Sequence, residues 1–346
     1  MKKILVAAAI MMSMISCSKD QTISLNQEAI GFDNAFINNS TKSVEDPSYD
    51  NTNLFSDFAV YGFVEGNVLF DGIKVEGSGL NGDWTYTGTQ YWIAGAKYNF
   101  AAVAPLTDGN WTETGAGADK SSTTISFTNN GTTDLLYAQT AEIEGKASGN
   151  AKVGFTFRHI LSKVKFSFEN AYNASNATIK VSNIKITDAF KTGQVALTTS
   201  ETTWSNQASA NDFVLDFGAA VNEIADDDDN TDGTQVSNSA DAYAYGTTLE
   251  SYNELLLIPS TGREYTITFH IDLLISGTPV NDGYNHTAKV SFAPIAGNSY
   301  DIKAVINANN IDPDHSQEPI QFTVTNINGW TDANPNPEVT IPSINN

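Results

Sequence analysis

The residues best equipped for chemistry are few: one cysteine and four histidines among 346 residues, set against 40 Asp and Glu. His159, His270, His286 and His315 are scattered, and no His-x-x-x-His or Glu-x-x-His spacing sets two metal ligands on one face. His159 and His270 fall in strand patterns, whereas His286 and His315 lie in turn-rich segments. A serine nucleophile would need a Gly-x-Ser-x-Gly elbow, and the sequence has none. Neither an enzyme nor a cofactor is expected. Within the run Asp226 to Gly233, Asp228, Asn230 and Asp232 fit the first half of an EF-hand calcium loop, but Ser239 stands where the bidentate Glu belongs. That run reads as a solvated acidic loop and a weak calcium candidate.

Cys17 offers a different chemistry. Lys2 and Lys3 precede an apolar run from Ile4 to Ile15, shorter than the roughly 20 residues a membrane-spanning helix needs, so the leader reads as a cleavable export segment. Met14-Ile15-Ser16-Cys17 resembles the bacterial lipobox, in which the thiol is acylated, with palmitate-type chains, and becomes the first residue of the mature protein. One myristoyl chain binds bilayers with only about 10⁴ M⁻¹, so several chains are what would hold the protein stably. Residues 1–16 are therefore expected to be lost and Cys17 to be lipidated, outside the cytoplasm. With Cys17 acylated there is no disulfide, so stability must come from buried apolar area. The net charge of -22, with Lys and Arg scarce and nowhere clustered, argues against nucleic acid and against an anionic membrane surface as partners.

The elements behind these residues are legible from periodicity. Tyr98, Phe100, Ala102 and Ala104 share one parity, as do Tyr265, Ile267, Phe269, Ile271 and Leu273, and the alternation recurs through Val153–Phe157, Phe213–Phe217, Tyr300–Ile306 and Ile320–Val324. This is the period of half-buried strands, and clusters such as Asn129-Asn130-Gly131 and Asp282-Gly283 supply turns between them. The chain is expected to be all-β. Val153, Phe155, Phe157 and Leu161 are odd, whereas Val164, Phe166 and Phe168 are even, so the chain near Arg158 to Ser162 must bulge, bend or enter another sheet. A domain junction is expected there, giving domains at 45–159 and 160–330. An internal echo aligns Ile93–Val103 with Ile295–Val305, identical at six of eleven positions. Each copy reads as an Ala-Gly turn feeding a strand that starts with Tyr, as duplication of a β-sandwich would leave.

Two terminal segments flank the domains. Residues 17–44 hold a strand candidate, Ala29 to Ile37, and then Lys42, the only basic residue between Lys19 and Lys74. Residues 331–346 form a tail with a strand-like Val339 to Ile344. Taken in order, the lipobox, Ile30-Gly31-Phe32 to Phe36, Tyr91-Trp92, Tyr98-Asn99-Phe100-Ala101-Ala102, Phe157-Arg158-His159-Ile160-Leu161-Ser162-Lys163-Val164 and Phe322-Thr323-Val324-Thr325 to Trp330 resemble the fimbrillin family, surface lipoproteins and pilins of Gram-negative anaerobes.

The resemblance implies two tandem transthyretin-like β-sandwich domains of Greek-key type, and a fimbria (pilus) subunit at the cell outer membrane, active in adhesion. Assembly would follow protease-triggered donor-strand exchange. Lys42 would be the processing position, although an Arg would suit an Arg-specific protease better. Ile30, Phe32, Phe36 and Ile37 would belong to the removable strand, and Val339, Ile341 and Ile344 to the donor, which contains Pro342. Implied partners are other copies of the chain or related fimbrillins, the outer membrane through lipid, and a host or bacterial surface ligand. A tip or anchor subunit, or a free-standing surface lipoprotein that binds a glycan or host protein, stays open. For such binding Trp84, Trp92, Trp111 and Trp204 are the residues to test, with strand-face packing the simpler expectation.

Overall fold

A computed structural model describes residues 27–37, 49, 54–78, 82–114, 124–196, 203–222, 242–315 and 318–327. Every α-helix or strand assignment among them is a strand, as the period of two predicts. Four sheets form, and their arrangement is sandwich-like.

The N-terminal sheet runs in the order Phe32–Ile37, Val153–His159, Leu136–Gln139, Lys97–Ala104, Asp57–Val64, Asn67–Glu76, Thr85–Tyr86, with Ile143–Glu144 also on Lys97–Ala104. All its pairings are antiparallel except that of Phe32–Ile37 with Val153–His159, which is parallel. Trp84, just before the last strand, makes a β-bridge to Phe32 in the first. The two ends of the sheet therefore meet, and it closes on itself around Phe58, Phe70, Phe100, Phe155 and Phe157.

The outside of this ring is buried too, so that Asp57 to Phe63 are buried at every position. The cover is a four-stranded sheet, Trp204–Ser209, Phe190–Ala196, Thr124–Thr128, Trp111–Thr114, whose Ile125, Phe127 and Val195 share a core with Ala59, Tyr61, Val103 and Tyr137. Two of its strands precede residue 159 and two follow it. The segments 45–159 and 160–330 thus share a sheet and a core. Strand parity carries no sign of that pairing, because a period of two identifies strands and not their partners.

Two six-stranded sheets face each other in the C-terminal half. One runs Ala220–Asn222, Thr248–Ser251, Ser162–Asn170, Ser299–Ile306, Phe322–Ile327; the other runs Leu215–Gly218, Ala177–Ile186, Arg263–Ile275, Thr278–Pro279. Leu255–Leu257, Tyr243–Ala244 and Tyr284–Phe292 pair onto them from the side. Phe166, Phe168, Phe217, Phe269 and Phe322 fill the space between. At the parity change, the strand ending at His159 belongs to the N-terminal sheet and the one starting at Ser162 to the C-terminal half, with Ile160 and Leu161 buried in the shared core.

The internal echo is a repeated turn. The Ile93 N–H donates to Tyr98 Oη at 2.7 Å and the Ile295 N–H to Tyr300 Oη at 3.0 Å. Gly95 and Gly297 take φ of 78° and 73°, the left-handed region glycine tolerates without strain. The strands that follow differ in company: Lys97–Ala104 lies between antiparallel neighbours, whereas Ser299–Ile306 is parallel to Ser162–Asn170. His286, expected in a turn-rich segment, lies instead in the strand Tyr284–Phe292. Its ring stacks on Phe269 at 5.1 Å and its Nε2 lies 2.9 Å from the Ile311 carbonyl, to which it donates. Burial pushes its pKa down, so it is held neutral.

Candidate functional site

The strand Phe32–Ile37 is the first regular element of the described chain, and it sits where the N-terminal sheet closes. Apolar residues put it there. Ile30, Phe32, Ala35 and Ile37 are all buried in the ring core. Phe32 is fully buried, with ring centroids at 5.3 Å from Tyr86, 5.7 Å from Phe70, 6.0 Å from Phe155 and 6.2 Å from Phe100. Burying such a side chain contributes roughly 1.5–3 kcal/mol, and its aromatic contacts add to that.

The strand is not regular. Asp33 pairs with Gly154 and Ala35 with Phe155, so Asn34 is an extra residue on this side of the ladder. A one-residue bulge reverses the facing of everything after it. Phe36 shares its parity with Phe32 yet points outward, 39 % exposed, while Ala35 and Ile37 point in. Of the four strand residues singled out from sequence, Ile30, Phe32 and Ile37 come together in one core and Phe36 does not.

Both lips of the seam hold the segment just before the strand. On one lip the Ile30 N–H donates to the Gln90 carbonyl at 2.8 Å, the Trp92 N–H to the Glu28 carbonyl at 3.0 Å, and Tyr86 Oη to the Ile30 carbonyl at 2.8 Å. On the other lip the Val153 N–H donates to the Gly31 carbonyl at 2.8 Å. Glu28 Oε2 accepts from the Asn150 backbone N–H at 2.7 Å and from its side-chain amide at 2.9 Å, and these two bonds hold the Glu28 carboxyl below the usual carboxylate range. Lys152 and Asp83, 3.3 Å apart and both exposed, link the lips across the seam. Gly77 gives Trp84 its place, since a Cβ there would lie 2.7 Å from the indole. The Trp84 indole N–H is buried and, among the described residues, donates to no acceptor.

After Ile37 the described chain resumes at Tyr49, whose N–H donates to Asp134 Oδ2 at 3.1 Å and whose ring packs on Phe55 at 6.0 Å. The same Asp134 oxygen lies 2.7 Å from His159 Nδ1, and both side chains are fully buried. His159, the last residue of the strand that carries the seam, is thus a buried partner of an acid that also ties down the chain beyond the seam. Sequence gave no hint of that contact, because Asp134 lies in a loop with no periodicity.

The remaining candidates divide simply. Cys17, Lys42, the acidic run with Asp228, Asn230 and Asp232, and the tail with Val339, Ile341 and Ile344 lie outside the described residues. Trp84 and Trp92 are buried in the ring core. Trp111 and Trp204 are half-buried, their indole N–H groups donating to the carbonyls of Pro105 at 2.7 Å and Ile160 at 2.8 Å. All four pack against the cores, Trp111 and Trp204 as the first residues of strands and Trp84 and Trp92 from outside the named strands, and among the described residues no aromatic cleft forms from them. Among the described residues no group of His, Cys, Asp or Glu is arranged to hold a metal.

Fold and seam together define an all-β protein in which the first strand completes a sheet begun by later ones. The chain belongs to the fimbrillin-like family, whose model matches residues 41–330, a region that begins downstream of the closing strand. No curated protein matches the sequence. Solved structures similar to the chain include a candidate cell adhesion protein of Bacteroides ovatus, at 14 % identity and TM-score 0.47 over 89 % of this chain and 99 % of that one. The fimbrial anchor protein Mfa2 of Porphyromonas gingivalis is 14 % identical with a TM-score of 0.40 over 92 % and 100 %. A fimbrial assembly protein of Parabacteroides distasonis is 12 % identical with a TM-score of 0.39 over 86 % and 97 %.

Proposed function

We propose that this protein is a structural subunit of a cell-surface fimbria, contributing to adhesion and assembled by protease-triggered donor-strand exchange. In this reading acylated Cys17 holds the unprocessed chain to the outer membrane, and cleavage after Lys42 severs Ile30 to Ile37 and the lipid from the body. A strand containing Val339, Ile341 and Ile344 from a neighbouring copy, or from a related fimbrillin, then fills the seam. One observation carries the reading: the strand that closes the N-terminal ring is the first of the described elements. A single cut downstream of it would detach it without breaking any other described element. Its departure would uncover Phe70, Phe100 and Phe155 and a row of unpaired backbone groups on Val153–His159, a surface that an extended strand satisfies and that water does not.

The test is limited digestion of the Ser18 to Asn346 chain with a Lys-specific protease, followed by mass spectrometry and a denaturing gel without boiling. Clean cutting after Lys42, loss of the upstream segment and a ladder of detergent-resistant multimers are expected. If the upstream strand stays bound, the chain acts as an anchor or tip that keeps it, a second reading favoured by the number of bonds on Glu28, Ile30 and Gly31. Loss of the strand without multimers would leave a monomeric surface lipoprotein that binds a glycan or host protein.

A further inference from the structure

We propose that a cleft in the C-terminal half takes an extended segment of a partner protein, one carrying a basic side chain, as an added strand along Tyr284–Phe292. The site is separate from the seam and does not depend on strand exchange; it gives the adhesive role a surface and a class of partner.

The state of the strand edges points there. An edge strand presents a row of unpaired backbone N–H and C=O groups, and proteins blunt such edges with short length, bulges, prolines or charge. One side of the C-terminal sandwich is blunted in this way. Its edge strands Ala220–Asn222 and Leu215–Gly218 have three and four residues, and the second pairs with Ala177–Ile186 through a register shift. The other side is not. Tyr284–Phe292 pairs with Arg263–Ile275 along all nine of its residues in unbroken register, and Phe322–Ile327 does the same along all six with Ser299–Ile306. Neither strand contains proline, Phe322–Ile327 carries no charge, and Lys289 is ion-paired to Glu264. Among the described residues the outer edges of both strands have no strand beside them.

The space between these edges is a cleft of about 490 Å³, inside the range of roughly 300–1,000 Å³ usual for ligand sites. Its far wall is fixed before anything enters. His286 donates to the Ile311 carbonyl, and the buried Asn310 donates its side-chain amide to the Val305 carbonyl at 2.9 Å while its Oδ1 accepts from the Asn307 N–H at 2.8 Å. Along the near wall, outward-facing Thr287, Lys289 and Ser291 alternate with inward-facing His286 and Ala288. A strand laid beside them alternates likewise, with apolar side chains toward Ile320 and Phe322 and polar ones toward Glu264.

Charge selects the partner. Lys289 cancels Glu264, His286 is neutral, and the exposed Glu318 has no cationic partner among the described residues, so the lining is net negative. A Lys or Arg on the incoming strand answers that charge. A sugar fits less well, because both rings in the lining are buried: His286 stacks on Phe269, and Phe322 packs against Phe166, Phe168 and Phe269.

The test uses the unprocessed Ser18 to Asn346 chain, in which the seam is closed. The probe is a short labelled peptide that alternates valine with threonine and carries one central arginine. Saturable binding is expected, with exchange at alternate amides between His286 and Ser291 slowed tenfold or more. Methylating one set of alternate peptide amides should abolish binding and methylating the other set should leave it, since only one set faces the edge. Glu318→Lys should weaken the arginine peptide at least tenfold and favour a glutamate version; equal binding of both by that variant overturns the charge preference. Loss with neither methylated set overturns strand addition, as does a mannose oligosaccharide that protects the same amides when the peptide does not. If the peptide binds only after residues 328–346 are deleted, the occupant is the chain's own tail and the partner is overturned. No slowed exchange with any probe overturns the site, and leaves the strand-exchange reading to its own digestion test.

Discussion

The first and last described strands of this protein meet opposite fates. Phe32–Ile37 is drawn into a ring, paired along Val153–His159 and bridged to Trp84, with an aromatic core closed over it. Phe322–Ile327 pairs, among the described residues, with Ser299–Ile306 alone, and Tyr284–Phe292 in the facing sheet pairs with Arg263–Ile275 alone. Between these two edges lies a cleft of about 490 Å³ lined by Glu264, His286, Lys289, Glu318, Ile320 and Phe322. In the C-terminal half the two edges flank this cleft, beside the segment that brings the Ile311 carbonyl to His286, whereas the N-terminal half closes with a strand. A sheet closed by the first described strand is complete yet separable, because only the chain downstream of that strand links it covalently to the other described elements. An edge guarded by an internal loop has no such freedom.

Truncation of the two matching aromatics should give the largest effect. Phe32→Ala and Phe322→Ala each remove a buried ring and should cost about 3–5 kcal/mol in chemical denaturation. Phe32→Ala alone should also expose residues 28–37 to hydrogen exchange. Equal exposure of that segment in Phe322→Ala would break the comparison. Next come the two copies of the tyrosine turn. Loss of the hydroxyl in Tyr98→Phe or Tyr300→Phe should cost roughly 0.5–1.5 kcal/mol. Tyr300 should be the more sensitive, because its Oη also donates to the Ala293 carbonyl at 3.2 Å. Equal melting shifts would mean that the second bond adds nothing.

Acid should loosen the seam more gently. The folded pKa of Glu28 is depressed, so its bonds to Asn150 contribute fully above the unfolded carboxylate value of about 4.3 and fade as pH falls through the folded value. Exchange protection at Glu28 to Gly31 should therefore drop below about pH 4, while protection around Phe322 stays unchanged through the same titration. Phe36→Ser should change stability by less than about 0.5 kcal/mol, since the ring faces outward. A larger loss in urea denaturation would place Phe36 against something that covers the seam.

Much of this was legible beforehand. The all-β class follows from alternation at Tyr98–Ala104 and Tyr265–Leu273, and the tyrosine turns from an Ala-Gly pair followed by a strand-starting Tyr. Ile30, Phe32 and Ile37 were legible as a strand because they are apolar in a polar stretch. The facing of Phe36 was not, because a bulge arises from the partner strand and leaves no mark in a run of six residues. His286 looked like a turn residue amid Asp282, Gly283 and Asn285, and only the long pairing with Arg263–Ile275 draws it into a strand.

By itself the sequence determined the period, the turns and the apolar content of each strand, since those depend on residues within a few positions of one another. It also set the spacing of Val339, Ile341 and Ile344. Tertiary structure decided which strands are neighbours: that residues 124–128 pair with 192–196 across the two halves, that Trp84 meets Phe32, and that the first strand runs parallel to Val153–His159. The physical reason is that backbone hydrogen bonds are the same for every residue. Partners are chosen by which faces must be buried together, a property of the whole core rather than of any one segment.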